Sequence, residues 1–155
     1  MRQGAPSGLK LQAEDAQDLS IISAHLQDAI LRAGDIAYLK RARRLALTLN
    51  RFCWERPPEK IDGREVYRRV TTGLHFEGVD AVQAKGLELN GPEGLLYLLA
   101  LHFEPAQEGG TIELRLAGGA TLRAEVEAID VTLRDLGSGW LTESKPQHET
   151  AAGHE

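Results

Sequence analysis

Arg43-Arg44-Leu45-Ala46-Leu47-Thr48-Leu49-Asn50-Arg51-Phe52-Cys53-Trp54-Glu55 is the stretch whose reading decides the fold. Apolar residues alternate along it with a period of two. Leu45, Leu47 and Leu49 are therefore predicted to face one side of a strand and Ala46, Thr48 and Asn50 the other. Cys53 falls in step with the leucines, and a buried, unactivated thiol is inert. Fifty residues on, the run from Gly94 to Glu104 is apolar on both faces, as in a strand covered on both sides. Together the two runs are expected to form the floor of the core.

Upstream, Leu9-Lys10-Leu11 reads as a short first strand, followed by a helix that Asp15 caps and Asp18 favours through the helix dipole. Leu19, Ile22 and Leu26 recur at spacings of three and four, which gives that helix one apolar face to lay on a sheet. Asp28 to Ala33 and Ile36 to Leu39 are expected to pair as a hairpin about Gly34-Asp35, with Lys40 to Arg43 as the next turn. Downstream, Pro57-Pro58 and Asp62-Gly63 break the pattern, so Arg56 to Val66 is expected to be an exposed loop. Order returns in Val70, Thr72, Leu74 and Phe76, then in Val79 to Leu87, with a turn at Asn90 to Gly94. Gly118-Gly119 closes a hairpin between Thr111–Leu116 and Thr121–Ala128. Ile129 to Leu136 reads as a strand ending in one helical turn, and Trp140 is expected to pack back on the body.

These elements add up to an α+β fold: a predominantly antiparallel β barrel or two-layer sandwich with one N-terminal amphipathic helix. Asp28-Ala29-Ile30 and Asp80-Ala81-Val82 precede the two apolar runs at similar distances. Such an echo arises from internal duplication or from the likeness of equally buried strands. One globular domain is expected over residues 9–143, between a flexible start at 1–8 and a flexible tail at 144–155.

At 155 residues and 42% hydrophobic, the chain is long enough to enclose one core without a covalent staple. Cys53 is the single cysteine, which excludes an intramolecular disulfide and a cysteine zinc cluster. No secretory apolar segment opens the chain, and Leu95 to Leu101 is too short to cross a bilayer. A cytoplasmic protein without membrane contact is expected. The net charge of −5 conceals an asymmetry: residues 40–69 hold ten basic and four acidic groups, a local +6, against −11 for the rest.

Ile22-Ser23-Ala24-His25-Leu26-Gln27-Asp28-Ala29, the Arg43 to Glu55 stretch, Leu74-His75-Phe76 and Ala117 to Glu127 together resemble an alphaproteobacterial family, domain of unknown function 2948. The resemblance covers roughly residues 9 to 148. It implies a bacterial cytoplasmic protein and carries no activity, ligand or catalytic residue, so function has to be read from the residues themselves.

Leu-His-Phe-Glu occurs twice, and in neighbouring strands His75, Glu77, His102 and Glu104 would gather as an imidazole and carboxylate metal set; the alternative is that each marks a polar strand end. His25 and Asp28 have the spacing of a base and its orienting carboxylate, or His25 simply answers the helix dipole. No zinc-protease, phosphate-loop or dinucleotide-binding pattern is present, and no cofactor is implied. The strongest signal is the basic island of Lys40, Arg41, Arg43, Arg44, Arg51, Arg56, Arg64, Arg68 and Arg69. It is expected to serve a non-catalytic binding or adaptor module with an acidic protein partner. Nucleic acid is the alternative, and an enzyme or metal protein built on the His-x-Glu pairs comes third.

Overall fold

The computed structural model describes residues 8–87 and 94–146. The expected turn at Asn90 and most of both expected flexible ends lie outside these residues. In chain order the strands are β1 (Lys10–Ala13), β2 (Ala29–Arg32), β3 (Ile36–Leu39), β4 (Arg44–Phe52), β5 (Glu59–Ile61), β6 (Arg64–Glu77), β7 (Val79–Lys85), β8 (Leu95–Pro105), β9 (Gly110–Leu116), β10 (Thr121–Val126) and β11 (Val131–Thr142). Among the described residues one α-helix, α1 (Ala16–Leu26), follows β1. Every strand pairing among the described residues is antiparallel.

The sheet runs β1-β11-β6-β4-β2-β8-β9-β10-β7, with β3 also on β4 and β5 also on β6. Leu45, Leu47 and Leu49 point inward from β4, as their alternation predicts, and meet Leu74 and Phe76 of β6 and Val131 and Leu133 of β11. Ile112, Leu114, Leu122 and Ala124 reach the same core from β9 and β10. The two halves of the sheet thus close on one apolar interior, an arrangement that fits a two-layer sandwich. The path has two ends, β1 and β7, so the sheet is open and the closed barrel is not formed.

Helix α1 forms as expected. Asp15 accepts from the Asp18 backbone N–H at 2.7 Å, which satisfies one of the amides that a helix start leaves without a partner. Leu19, Ile22 and Leu26 are buried, each worth about 1.5–3 kcal/mol on removal from water. The Leu101 N–H donates to Ser23 Oγ at 3.0 Å and pins the helix to β8.

Several local expectations are corrected. The segment from Arg56 to Val66 is exposed over residues 57–65 but is not a loop: β5 and the start of β6 form a ribbon around Asp62-Gly63, both with positive φ, as short hairpin turns require. β2 and β3 do not pair with each other; each lies against β4. β8 is not covered on both faces, since Leu95, Tyr97 and Leu99 are exposed. The expected helical turn after Ile129 is strand, because Gly137 and Gly139 at positive φ let β11 bulge and resume pairing with β6 from Trp140 onward. Trp140 is 42% exposed and lies in register opposite Arg69 of β6. The echoing segments also differ in their neighbours: β2 lies beside β4, whereas β7 is three places from β8 along the sheet.

One polar cluster interrupts the interior. Arg51 follows Leu49 on the inward face of β4 and is 0% exposed. Its Nε and Nη2 donate to the two oxygens of Asp135 at 2.8 and 2.7 Å, and Nη1 and Nη2 donate to Glu55 at 3.0 and 2.9 Å. Asp135 also accepts from Thr72 Oγ1 at 2.8 Å and from the Leu9 N–H at 3.0 Å. Burial works against the charge of Asp135, but the hydrogen bonds from Arg51, Leu9 and Thr72 outweigh it and hold the carboxyl below its ordinary value. Glu55 is lowered in the same way: burial opposes its charge and the Arg51 guanidinium overcomes that opposition.

Two outcomes are expected. A Cβ at Gly139 would run into the Arg69 carbonyl oxygen, whereas one at Gly137 meets nothing. Gly139→Ala should therefore lose on the order of 3 kcal/mol in urea denaturation and Gly137→Ala only about 1 kcal/mol. Asp135 and Glu55 titrate below their unfolded values, so their contribution is complete above the ordinary carboxylate pKa and is lost as pH falls through the lower folded one. Asp135→Asn should cost roughly 3 kcal/mol at neutral pH and show a shallower loss of stability on acidification than the parent, measured as urea midpoints across the acid range.

Candidate functional site

The register between β4 and β6 places the basic island. Arg44 sits opposite Glu77 and Phe52 opposite Arg69, eight residues apart along β4, or about 26 Å at strand spacing. Lys40, Arg41, Arg43 and Arg44 gather at one end of β4; Arg51, Arg56, Arg64, Arg68 and Arg69 belong to the other. Much of the charge is already neutralised. Arg43 bonds Asp80 at 2.6 Å and Glu127 at 3.2 Å, Arg44 bonds Glu77 at 2.9 Å, and Arg64 bonds Glu143 at 3.0 Å. Arg68 donates to the Ser138 carbonyl at 2.9 Å and Arg69 to the Asn50 carbonyl at 3.1 Å. Arg51 is inside the protein. The island is therefore two separated groups rather than one contiguous face, and Arg51 is corrected from a surface contact to a core residue.

The other nominated residues also separate. β4 and β2 lie between β6 and β8, so His75 and Glu77 on β6 are not beside His102 and Glu104 on β8. Glu77 is held by Arg44, and His102 lies opposite Glu113 of β9. Among the described residues no group of three or more His, Cys, Asp or Glu is placed to hold a metal, so the two His-x-Glu pairs, offered only as the weaker of two readings, do not gather into one set. His25 approaches Glu55 at 3.6 Å through Nδ1. Cys53 is buried beside Arg51, and burial pushes its thiol pKa up.

A different group of residues converges on the outer face of the sheet. β1, β11, β6 and β4 are consecutive, and their registers align Lys10, Arg134, Gly73 and Thr48 in one row. Two residues along, Gln12, Thr132 and His75 form the next row, on the same face because the side-chain period is two. These seven residues with Leu136 line a basin of about 380 Å³.

No carboxylate lines the basin. Lys10 and Arg134 stand directly opposite each other, and neither makes an ion pair among the described residues. Gln12 is anchored at the rim, where its carbonyl oxygen accepts from Thr132 Oγ1 at 2.6 Å and its Nε2 donates to Asp130 at 2.8 Å. The basin therefore offers two cationic side chains, one imidazole, two hydroxyls and one amide to a ligand.

Of the lining residues the sequence nominated His75 alone, and for another role. Lys10 and Arg134 are 124 positions apart, and no local pattern links them. The usable signal was alternation: each strand's outward positions are polar once its inward ones are assigned, but which of them meet depends on register.

No curated protein and no solved structure matches the chain. A family model does, over residues 9–148, which is nearly the whole length, and the chain belongs to that family, described as protein of unknown function (DUF2948).

Proposed function

We propose that this protein is a non-catalytic binding module that holds an acidic segment of a partner protein on the outer face of β1, β11, β6 and β4. One observation carries the reading. Lys10 faces Arg134 across neighbouring strands without a carboxylate between them. Like charges directly opposite in a sheet destabilise it, and a carboxylate laid between them relieves the repulsion through charge-assisted hydrogen bonds. The surface thus differs from the one expected at residues 40–69, while the class of partner is kept. The proposed setting is the cytoplasm, which a lone buried thiol suits.

The test is fluorescence anisotropy of a labelled Asp-Glu-Asp-Glu-Asp-Glu peptide, with a labelled thymidine dodecamer in parallel. The peptide is expected to bind the parent and a K60E/K85E control alike. In K10E/R134E the affinity should fall at least about tenfold, equivalent to 1.4 kcal/mol. Loss in K40E/R41E instead returns the site to the β3–β4 turn and rejects the basin. Preference for the oligonucleotide, with a steep salt dependence, rejects the protein partner.

A further inference from the structure

We infer that the partner segment carries an aromatic side chain beside its carboxylates, and that this ring lies flat on Gly73 at the floor of the basin. The inference rests on the acidic-ligand reading above and adds the chemistry of the second contact.

Gly73 sits in the interior of β6, a strand of 14 residues paired on both sides. Glycine there costs order, because it has the most conformational freedom to lose and no side chain to pack. Backbone geometry does not demand it, since Gly73 is not among the residues with positive φ. Nor does space: a Cβ at Gly73 would meet only the Arg134 carbonyl oxygen and Leu136 Cδ1, both at 3.9 Å, ordinary van der Waals contact. The fold accepts a side chain at this position, and the sequence supplies none.

What the missing side chain leaves open is the centre of the basin. Its row neighbours are Arg134 on one side and Thr48 on the other, with Lys10 beyond Arg134. Leu136, 49% exposed, supplies an apolar wall within contact range of the same point. A bare backbone floor flanked by an aliphatic side chain suits a flat ring, just as aromatic residues cover glycines across neighbouring strands in sheets. The guanidinium of Arg134 at the ring's edge and the ammonium of Lys10 behind it then meet carboxylates on the adjoining ligand residues. An acidic residue next to an aromatic one satisfies both halves of the basin; an acidic residue alone leaves Gly73 and Leu136 uncovered.

The experiment compares two labelled peptides on the full chain, Asp-Glu-Trp-Glu-Asp and Asp-Glu-Ala-Glu-Asp, with Gly73→Val and Gly73→Ala as variants. The tryptophan peptide is expected to bind the parent about tenfold more tightly than the alanine peptide, and Gly73→Val should erase that advantage while its urea midpoint stays at or above the parent's. Gly73→Ala should retain part of the advantage. Equal affinity of the two peptides for the parent overturns the inference and leaves the acidic-ligand reading standing. A folded Gly73→Val that keeps the full preference also overturns it. If Gly73→Val does not fold, glycine serves sheet curvature instead, and the inference then survives only if the parent and Gly73→Ala show the graded preference. Binding of neither peptide removes both readings together.

Discussion

The position of β6 between β4 and β11 is the constraint on which the rest of this structure depends. Its inward residues Val70, Thr72, Leu74 and Phe76 supply the middle of one apolar layer, while its outward residues Gly73 and His75 supply the middle of the basin. A slip of one residue in either pairing would exchange these two sets. Two features hold the register. Leucines on β4 and β11 need apolar partners, and Arg51 reaches across to Asp135 at the far end of the same interior. The ion pair thus acts as a registration mark: a buried guanidinium is tolerated only where all its N–H groups find acceptors, and Arg51 donates to Asp135, Glu55 and the Phe52 carbonyl.

The period-two pattern made the central strand, the capped helix and the Gly118-Gly119 hairpin legible, because each follows from a local rule that the interior does not override. The same pattern, carried two residues further, places Arg51 in line with Leu45, Leu47 and Leu49 and so inside the protein. Grouping it with the other arginines by charge ignored that alternation. The ribbon at Asp62-Gly63 was hidden for a different reason. β5 is exposed throughout and the facing start of β6 buries only Val66, so no apolar alternation marks the ribbon and only the turn chemistry does. The bulge in β11 was hidden because two glycines in six residues read as a strand end, whereas partner β6 is long enough to resume pairing beyond them.

The basin was beyond the reach of the sequence because its members belong to the two ends and the middle of the chain. Lys10 precedes the helix, Thr48 and Gly73 lie in the central strands, and Arg134 is in the last strand. Each is unremarkable alone: a charged residue on a short strand, a threonine facing out, a glycine, an arginine. Only their alignment across four strands turns them into a shared surface. Both of its unusual features, the facing cations and the interior glycine, weaken the sheet locally. Concessions of that kind are compatible with folding only because the opposite face of the same strands is densely apolar.

Among the described residues the two halves of the sheet are joined along its path by β2, four residues that pair with β4 on one side and β8 on the other. A second tie runs from the Val79 N–H to the Arg43 carbonyl at 2.9 Å, reinforced by Tyr38, whose hydroxyl donates to the Val79 carbonyl at 3.0 Å. Separating the halves would thus require breaking a narrow hydrogen-bonded seam and a clasp in the same event that exposes the core. Neither half has an interior of its own to fall back on, so they lose their structure in concert, and partially opened forms with one intact half gain no refuge.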